Sequence, residues 1–231
     1  MTQLTRGGSP RVPLGCAMPY MLKPGISYCI VDGRCFFIDR DGDRYFTVSP
    51  RLNAFFLANR HDSRSCDDAA AVRDLEKLGL LQSTSDSMPI APFSLRSPVR
   101  VFATGSTSWR LTAETFRAYC AAARRIKSDA LRGAGALLAH ARAHRRKPAL
   151  IDASAIAASF GRAKRFIGDH DRCLPWSVAI GGCLLRHGHD ADVVLGICPQ
   201  PFTAHCWVQS GDSLVCDDLD RVAMFTPILA L

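Results

Sequence analysis

The chain has 231 residues, 48% of them hydrophobic and 22% charged, with a formal net charge of +8. At about 150 residues per domain this is one large domain or two small ones with a core to bury, and the composition excludes wholesale disorder and fibrous repeats. No run of about 18 apolar residues marks a membrane helix and the first residues lack the apolar segment of a secretory signal, so the expected location is cytoplasmic, with no membrane partner.

Residues 1–17, rich in Gly, Pro and Arg, read as a disordered tail. Three β-rich runs follow, at 27–31, 34–39 and 44–48. Asp32-Gly33 between the first two is a two-residue hairpin signal, and residues 40–43 form a longer turn, so the runs predict an antiparallel meander. Ser49 then reads as a helix cap with Pro50 at the first helical position, and Leu52, Phe55 and Phe56 supply an apolar face. A second helix is predicted over 67–78, with Ala71, Leu75 and Leu78 on one side and Gly79 at its end. These elements predict a small domain over 18–83. Residues 84–111, rich in Ser, Pro and Thr, read as a linker to a second domain at 112–231.

A long helical pattern begins near Thr112, with Phe116, Tyr119, Ala123, Ile126, Ala130 and Leu137 close to a 3.6-residue period. Gly133 and Gly135 are candidate breaks. Between 117 and 147 nine basic residues stand against one acid, Asp129, so this segment holds the whole charge excess. It could dock an acidic partner or nucleic acid. Aromatic residues do not interleave with the charges as a stacking platform requires, so it reads as a solvated helix face and no nucleic-acid partner is expected. His140 and His144 have metal-ligand spacing, but no third ligand is near in sequence, so no metal is expected. A further helix is predicted over 153–166, with Asp152 as its cap.

The end of the chain carries the chemistry. Asp171 can cap a helix that begins at Arg172 or Cys173 and ends near His187-Gly188. Strands are predicted at 191–197, 204–209 and 213–216, with Gly211-Asp212 in the last turn. Ten cysteines are present, none in a CxxC pair, which removes the basic unit of zinc ribbons and thioredoxin-like sites. Most read as small buried side chains, those at 183, 198 and 216 within the second domain. Cys173 differs because a helix start stabilises a thiolate. A tight hairpin would set His205 beside Asp217, and a carboxylate on one imidazole nitrogen leaves the other to take the thiol proton. The order Cys, His, Asp fits a cysteine triad, although ten cysteines and seven histidines make some such triple unremarkable. The plainer readings are a buried helix cysteine, a core histidine and a turn acid, and Asp218 could stand in for Asp217. His187 and His189 read as solvated or capping, and Trp176 and Trp207 as cleft or core.

Residues 171–174 (DRCL), 184–188 (LLRHG), 194–197 (VLGI), 201–202 (PF), 204–208 (AHCWV) and Asp217 resemble the lasso-peptide biosynthesis B protein, a transglutaminase-like cysteine peptidase that removes the leader from a precursor peptide. The resemblance covers roughly 170–231. It implies Cys173 as nucleophile, His205 as base and Asp217 as orienting acid, with no cofactor. Cys206 departs from the small or polar residue common after the histidine. Asp32-Gly33, Tyr45-Phe46 and Ser49-Pro50 more weakly resemble the PqqD-like leader-recognition domain often fused to these proteins; residues 83–150 match nothing. Together these imply an α+β fold, with a winged-helix-like recognition domain before a transglutaminase-like peptidase domain. The expected partners are the precursor's leader and a lasso cyclase. The leader would add a strand along Arg44, Tyr45, Phe46, Thr47 and Val48 and pack near Leu75. An acyl transferase using the same triad and a non-catalytic peptide carrier are the alternatives.

Overall fold

The computed structural model describes residues 19–61, 68–85, 88–103, 105–146, 151–167 and 172–231. The expected tail, the proposed cap Asp171, and Cys16, Cys66, Asp67 and Lys147 lie outside these. The elements in chain order are β1 (Tyr20–Leu22), β2 (Ile26–Val31), β3 (Arg34–Asp39), β4 (Arg44–Phe46), α1 (Pro50–Asn59), α2 (Ala69–Lys77), β5 (Leu81–Ser83) and β6 (Arg100–Val101). There follow α3 (Trp109–Ala143), α4 (Ala153–Ile167), α5 (Cys173–Arg186), β7 (Asp192–Pro199), β8 (Phe202–Ser210), β9 (Ser213–Val215), α6 (Leu219–Ala223) and β10 (Thr226–Ala230). The fold is mixed α+β, and no helix among the described residues is long and apolar enough to cross a membrane.

Contacts divide the chain into two compact units. One takes residues up to Pro24 and Ser49–Ala91. Ser49 caps α1, its hydroxyl accepting from the Leu52 N–H, and Pro50 stands in the first turn, where a missing N–H costs nothing. Asp68 caps α2 by accepting from the Ala71 N–H at 2.9 Å. Leu52, Phe56, Ala71, Val72 and Leu75 are buried. Leu78, expected on that face, is 46% exposed because the helix ends there. Gly79, at φ +73°, then turns the chain into β5, which pairs antiparallel with β1.

The other unit takes Gly25–Val48 and Pro92–Leu231. The meander β2-β3-β4 forms as read, with Asp32-Gly33 in its first turn, but it groups with the C-terminal elements and not with α1 and α2. The cause is one face of that sheet. Cys29, Phe36 and Ile38 belong to the large core that also holds α3, α4, α5 and the C-terminal strands, and Val31 and Tyr45 pack against it. The Ser27 hydroxyl donates to the Ile228 carbonyl at 2.6 Å. β4 stops at Phe46; Thr47 and Val48 lie beyond it.

A five-stranded sheet, in the order β10-β7-β8-β9-β6, is antiparallel except for β6 beside β9. β6 falls in the segment read as a linker, and three features hold it. The N–H groups of Val99 and Phe102 donate to the carbonyls of Asp212 and Leu214, and Arg100 pairs with Asp212 at 2.8 Å. The sequence reading also lacked α6 and β10, which pairs with β7 at the opposite edge. α3 begins at Trp109, three residues early, because Ser108 caps it. Its break falls at Ala130, φ +49°, and not at the glycines. Gly133 meets a different constraint: a Cβ there would lie 2.7 Å from the Arg125 carbonyl oxygen.

Candidate active site

Cys173 is the first residue of α5. Among the described residues no side chain caps this helix end, and the Leu174 N–H donates to the Cys173 sulfur. A thiolate there serves as the cap and gains from the helix dipole. His205 lies within β8 and Asp217 two residues past β9. The β8–β9 register sets Val208 against Val215, and carried on it would set Cys206 against Asp217 and His205 against Asp218; the Asp217 carboxylate nonetheless reaches His205. Cys216, at φ +59°, redirects the chain at that point.

Asp217 Oδ2 lies 2.8 Å from His205 Nε2, with the imidazole 5% and the carboxylate 14% exposed. The neighbouring acid does other work: Asp218 caps α6, and its N–H donates to Asp217 Oδ1 at 2.9 Å. With Nε2 held by the carboxylate, Nδ1 is the nitrogen left for the thiol.

Burial pushes the Cys173 thiol up, but the hydrogen bond with His205, the charge of His205, and the N–H groups of Cys206 and Leu174 together hold it below the ordinary thiol value. Burial likewise opposes a charged His205. The hydrogen bonds to Asp217 and Cys173 and the Asp217 charge outweigh it, with Arg221 opposing, so the imidazole is held above its ordinary value. For Asp217 burial raises the carboxyl, while His205, the Asp218 N–H and Arg221 hold it below the carboxylate range. The combined effect favours a thiolate–imidazolium pair with a carboxylate behind it.

These groups open into a cavity of about 250 Å³, lined also by Trp176, Trp207 and Arg221. Both tryptophans are buried and yet reach it, so the cleft and core readings both hold. The other described thiols are unlike Cys173 where burial dominates: Cys29 is pushed up to about 12, and Cys183 and Cys216 to about 11.

One further group carries the site without having been singled out in the sequence. Ser177, one turn after Cys173, is buried and donates from Oγ to the Cys206 carbonyl at 2.9 Å, tying α5 to β8 beside the histidine. A lone hydroxyl on an otherwise apolar helix was its signal. Tyr45 on β4 packs edge-on to Phe202, ring centroids 5.8 Å apart. Burial raises its phenol, and the charges of Cys206, Cys173 and Asp43 add to this.

Among the other expected peptide contacts, Arg44 lies over the Phe46 ring and Phe46 stacks on Phe37. Thr47 is exposed and Val48 partly buried. Leu75 is wholly buried in its own unit and presents no surface to a ligand. His187 is not solvated: it is buried, with Nε2 2.9 Å from Glu114. His189 Nε2 lies 2.7 Å from the Ile151 carbonyl. His140 and His144 stack on successive turns, and no metal-ligating group of three is found among the described residues.

A thiol at a helix start facing a strand-borne histidine and its carboxylate is an arrangement able to act as a nucleophile in acyl transfer. Residues 116–230 match the family model of the transglutaminase-like superfamily, so this part of the chain is a transglutaminase-like domain, compatible with a cysteine peptidase or an acyltransferase. Comparison with curated proteins and with solved structures gives no match.

Proposed function

We propose that the protein is a cysteine peptidase that binds a ribosomal precursor peptide and cleaves off its leader during lasso-peptide maturation. The observation that carries the chemistry is the Cys173–His205–Asp217 arrangement within the transglutaminase-like domain. The resemblance of residues 170–231 to lasso B proteins supplies the substrate class.

In this reading the Cys173 thiolate adds to the carbonyl at the leader–core junction. The Cys173 N–H is one donor to the resulting oxyanion. The His205 imidazolium gives its proton to the departing core amine as the C–N bond breaks, leaving the leader as a thioester on Cys173. His205 then takes a proton from water, whose oxygen adds to the thioester; the thiol leaves and the leader is released as a carboxylic acid. Asp217 holds the imidazole in one tautomer throughout. The freed core amine suits a separate cyclase, the proposed second partner, and a cytoplasmic setting. No cofactor or metal enters any step.

Recognition rests on β4. It is an edge strand, so a leader could add a strand along Arg44–Phe46 and continue past Thr47 and Val48. Tyr45, on that strand, feels the charge of Cys173, which supports a bound peptide running close to the nucleophile.

The test is mass spectrometry of a precursor encoded beside this chain, incubated with wild type and with Cys173→Ala. A free leader acid from wild type alone is expected. An intact precursor in both, with leader bound, would support the peptide carrier. A leader–amine conjugate would support the acyl transferase.

A further inference from the structure

We infer that the cleft between the start of α3 and the end of α4 is a docking site for an acidic amphipathic helix of a partner protein. Its walls are Trp109 and Phe116, two helical turns apart on α3, and Phe166 near the end of α4, with exposures of 72%, 47% and 73%. Large apolar side chains this open on a folded surface mark an interaction site when they are contiguous. The cleft encloses about 430 Å³, and its floor is Thr112, Ala113 and Ala163. The Thr112 hydroxyl is spent on the Ser108 carbonyl at 3.0 Å. The floor therefore offers methyl groups and room for an inserted apolar side chain.

The charge around the cleft selects the partner. Arg110, Arg117, Arg162 and Arg165 belong to the same two helix ends, and Arg162 lies 5.6 Å over the Trp109 ring. Among the described residues none of the four pairs with a carboxylate, and the acid on this stretch of α3, Glu114, is taken by His187. An apolar knob flanked by Asp or Glu satisfies both the floor and the arginines.

Other occupants fit less well. The first 18 residues carry Arg6 and Arg11 and no acid, so they would meet like charge. A second copy facing the first would set the same four arginines against each other. A bilayer surface engages residues that protrude, while this site is concave. A nucleobase on the methyl floor would leave its polar edges unpaired.

Trp109 is itself the reporter, since the other two tryptophans, Trp176 and Trp207, are buried. The full-length protein is titrated with a synthetic amphipathic helix bearing Leu and Phe on one face, Glu on both flanks and no Trp. The expected result is a saturable blue shift of tryptophan emission, absent in Trp109→Phe, with the Lys-flanked version of the peptide at least about tenfold weaker. Phe116→Ser with Phe166→Ser should abolish binding while leaving the thermal midpoint and the reactivity of Cys173 unchanged. Arg117→Glu, which leaves the apolar walls in place, should weaken the acidic peptide and strengthen the basic one.

Equal binding of both peptides, or binding unchanged by these variants, overturns the proposal. So does failure of the acidic peptide while phosphatidylglycerol vesicles or an oligothymidine strand shift Trp109. A dimer in sedimentation that is lost in the double Phe variant would assign the cleft to a second copy and also overturn it.

Discussion

Asp217→Asn keeps the side-chain size and removes its charge from behind His205. The carboxylate lies 2.8 Å from Nε2 and is largely buried, so water replaces little of what is lost. A hydrogen bond to a charged group contributes about 2 kcal/mol, which corresponds to about thirtyfold in an equilibrium. That equilibrium is the proton's place between Cys173 and His205. Asp217 holds the imidazole above its ordinary value, and the imidazolium in turn holds the thiol below its own. Removing the charge lets the imidazole fall and the thiol rise. The assay is the rate of Cys173 alkylation by iodoacetamide across pH, followed on its own peptide by mass spectrometry. Wild type should react at pH below the ordinary thiol range. The variant should be about thirtyfold slower near neutral pH, with its acid limb moved to higher pH, and the two should converge in alkali, where the thiol ionises unaided. Any hydrolysis rate should lose its alkaline limb at lower pH, because the imidazole that must protonate the leaving amine is then neutral sooner. Cys29, Cys183 and Cys216, pushed up to between about 11 and about 12 by burial, act as slow internal references. An acid limb that does not move in Asp217→Asn would refute the assignment of Asp217.

Ser177→Ala removes the donor to the Cys206 carbonyl. Leaving that carbonyl unpaired should cost about 1–3 kcal/mol in denaturant unfolding and shift the pH profile of Cys173 alkylation, because the Cys206 N–H is a donor to the sulfur; Ser177→Thr should restore the profile if it folds, and an unshifted profile in the alanine variant would reduce Ser177 to a packing residue. Gly196→Ala would set a Cβ 2.6 Å from the Trp207 ring. Overpacking of this kind costs about 1–3 kcal/mol, and a lowered unfolding midpoint is expected, whereas an unchanged one would show that the ring can yield.

The juxtaposition of Cys173, His205 and Asp217 was legible because each member has a local signal. A cysteine opens a helix, a histidine sits within a strand, and an acid follows a short hairpin. The choice between Asp217 and Asp218 was not legible, since it depends on the φ of Cys216 and on which carboxylate caps α6. Ser49 and Asp152 were readable as caps for the same local reason, and Asn59, the end of α1, falls without any glycine to mark it. Long-range pairings left no such trace. β6 meets β9 more than a hundred residues later, and its Pro- and Ser-rich surroundings suit an edge strand as well as a linker. His187 meets Glu114 across 73 positions, so the sequence suggested a solvated or capping histidine and gave no sign of this side-chain partner. The kink at Ala130 escaped because alanine has high helix propensity and gives no local signal of a break.

The meander packs into the unit that holds Cys173, His205 and Asp217. The match to the transglutaminase-like superfamily begins at residue 116, yet Cys29, Phe36 and Ile38 complete the core against which its strands and helices pack. Burying one such apolar side chain contributes about 1.5–3 kcal/mol. Three of them approach roughly 5 kcal/mol, comparable to the whole stability of many domains at about 5–15 kcal/mol. The Ser27–Ile228 hydrogen bond adds to this at β10, the strand next to β7. A chain beginning at residue 84 should therefore lack cooperative unfolding, lose near-ultraviolet dichroism and bind hydrophobic dye, with Cys173 alkylating at the pH of an ordinary thiol. The same chain mixed with a 1–83 fragment should recover part of the reactivity at low pH, since the missing strands are supplied in trans. If the 84–231 chain instead unfolds cooperatively and keeps the low-pH reactivity of Cys173, the meander is dispensable to the site, and the core assigned to its inner face does not support the nucleophile.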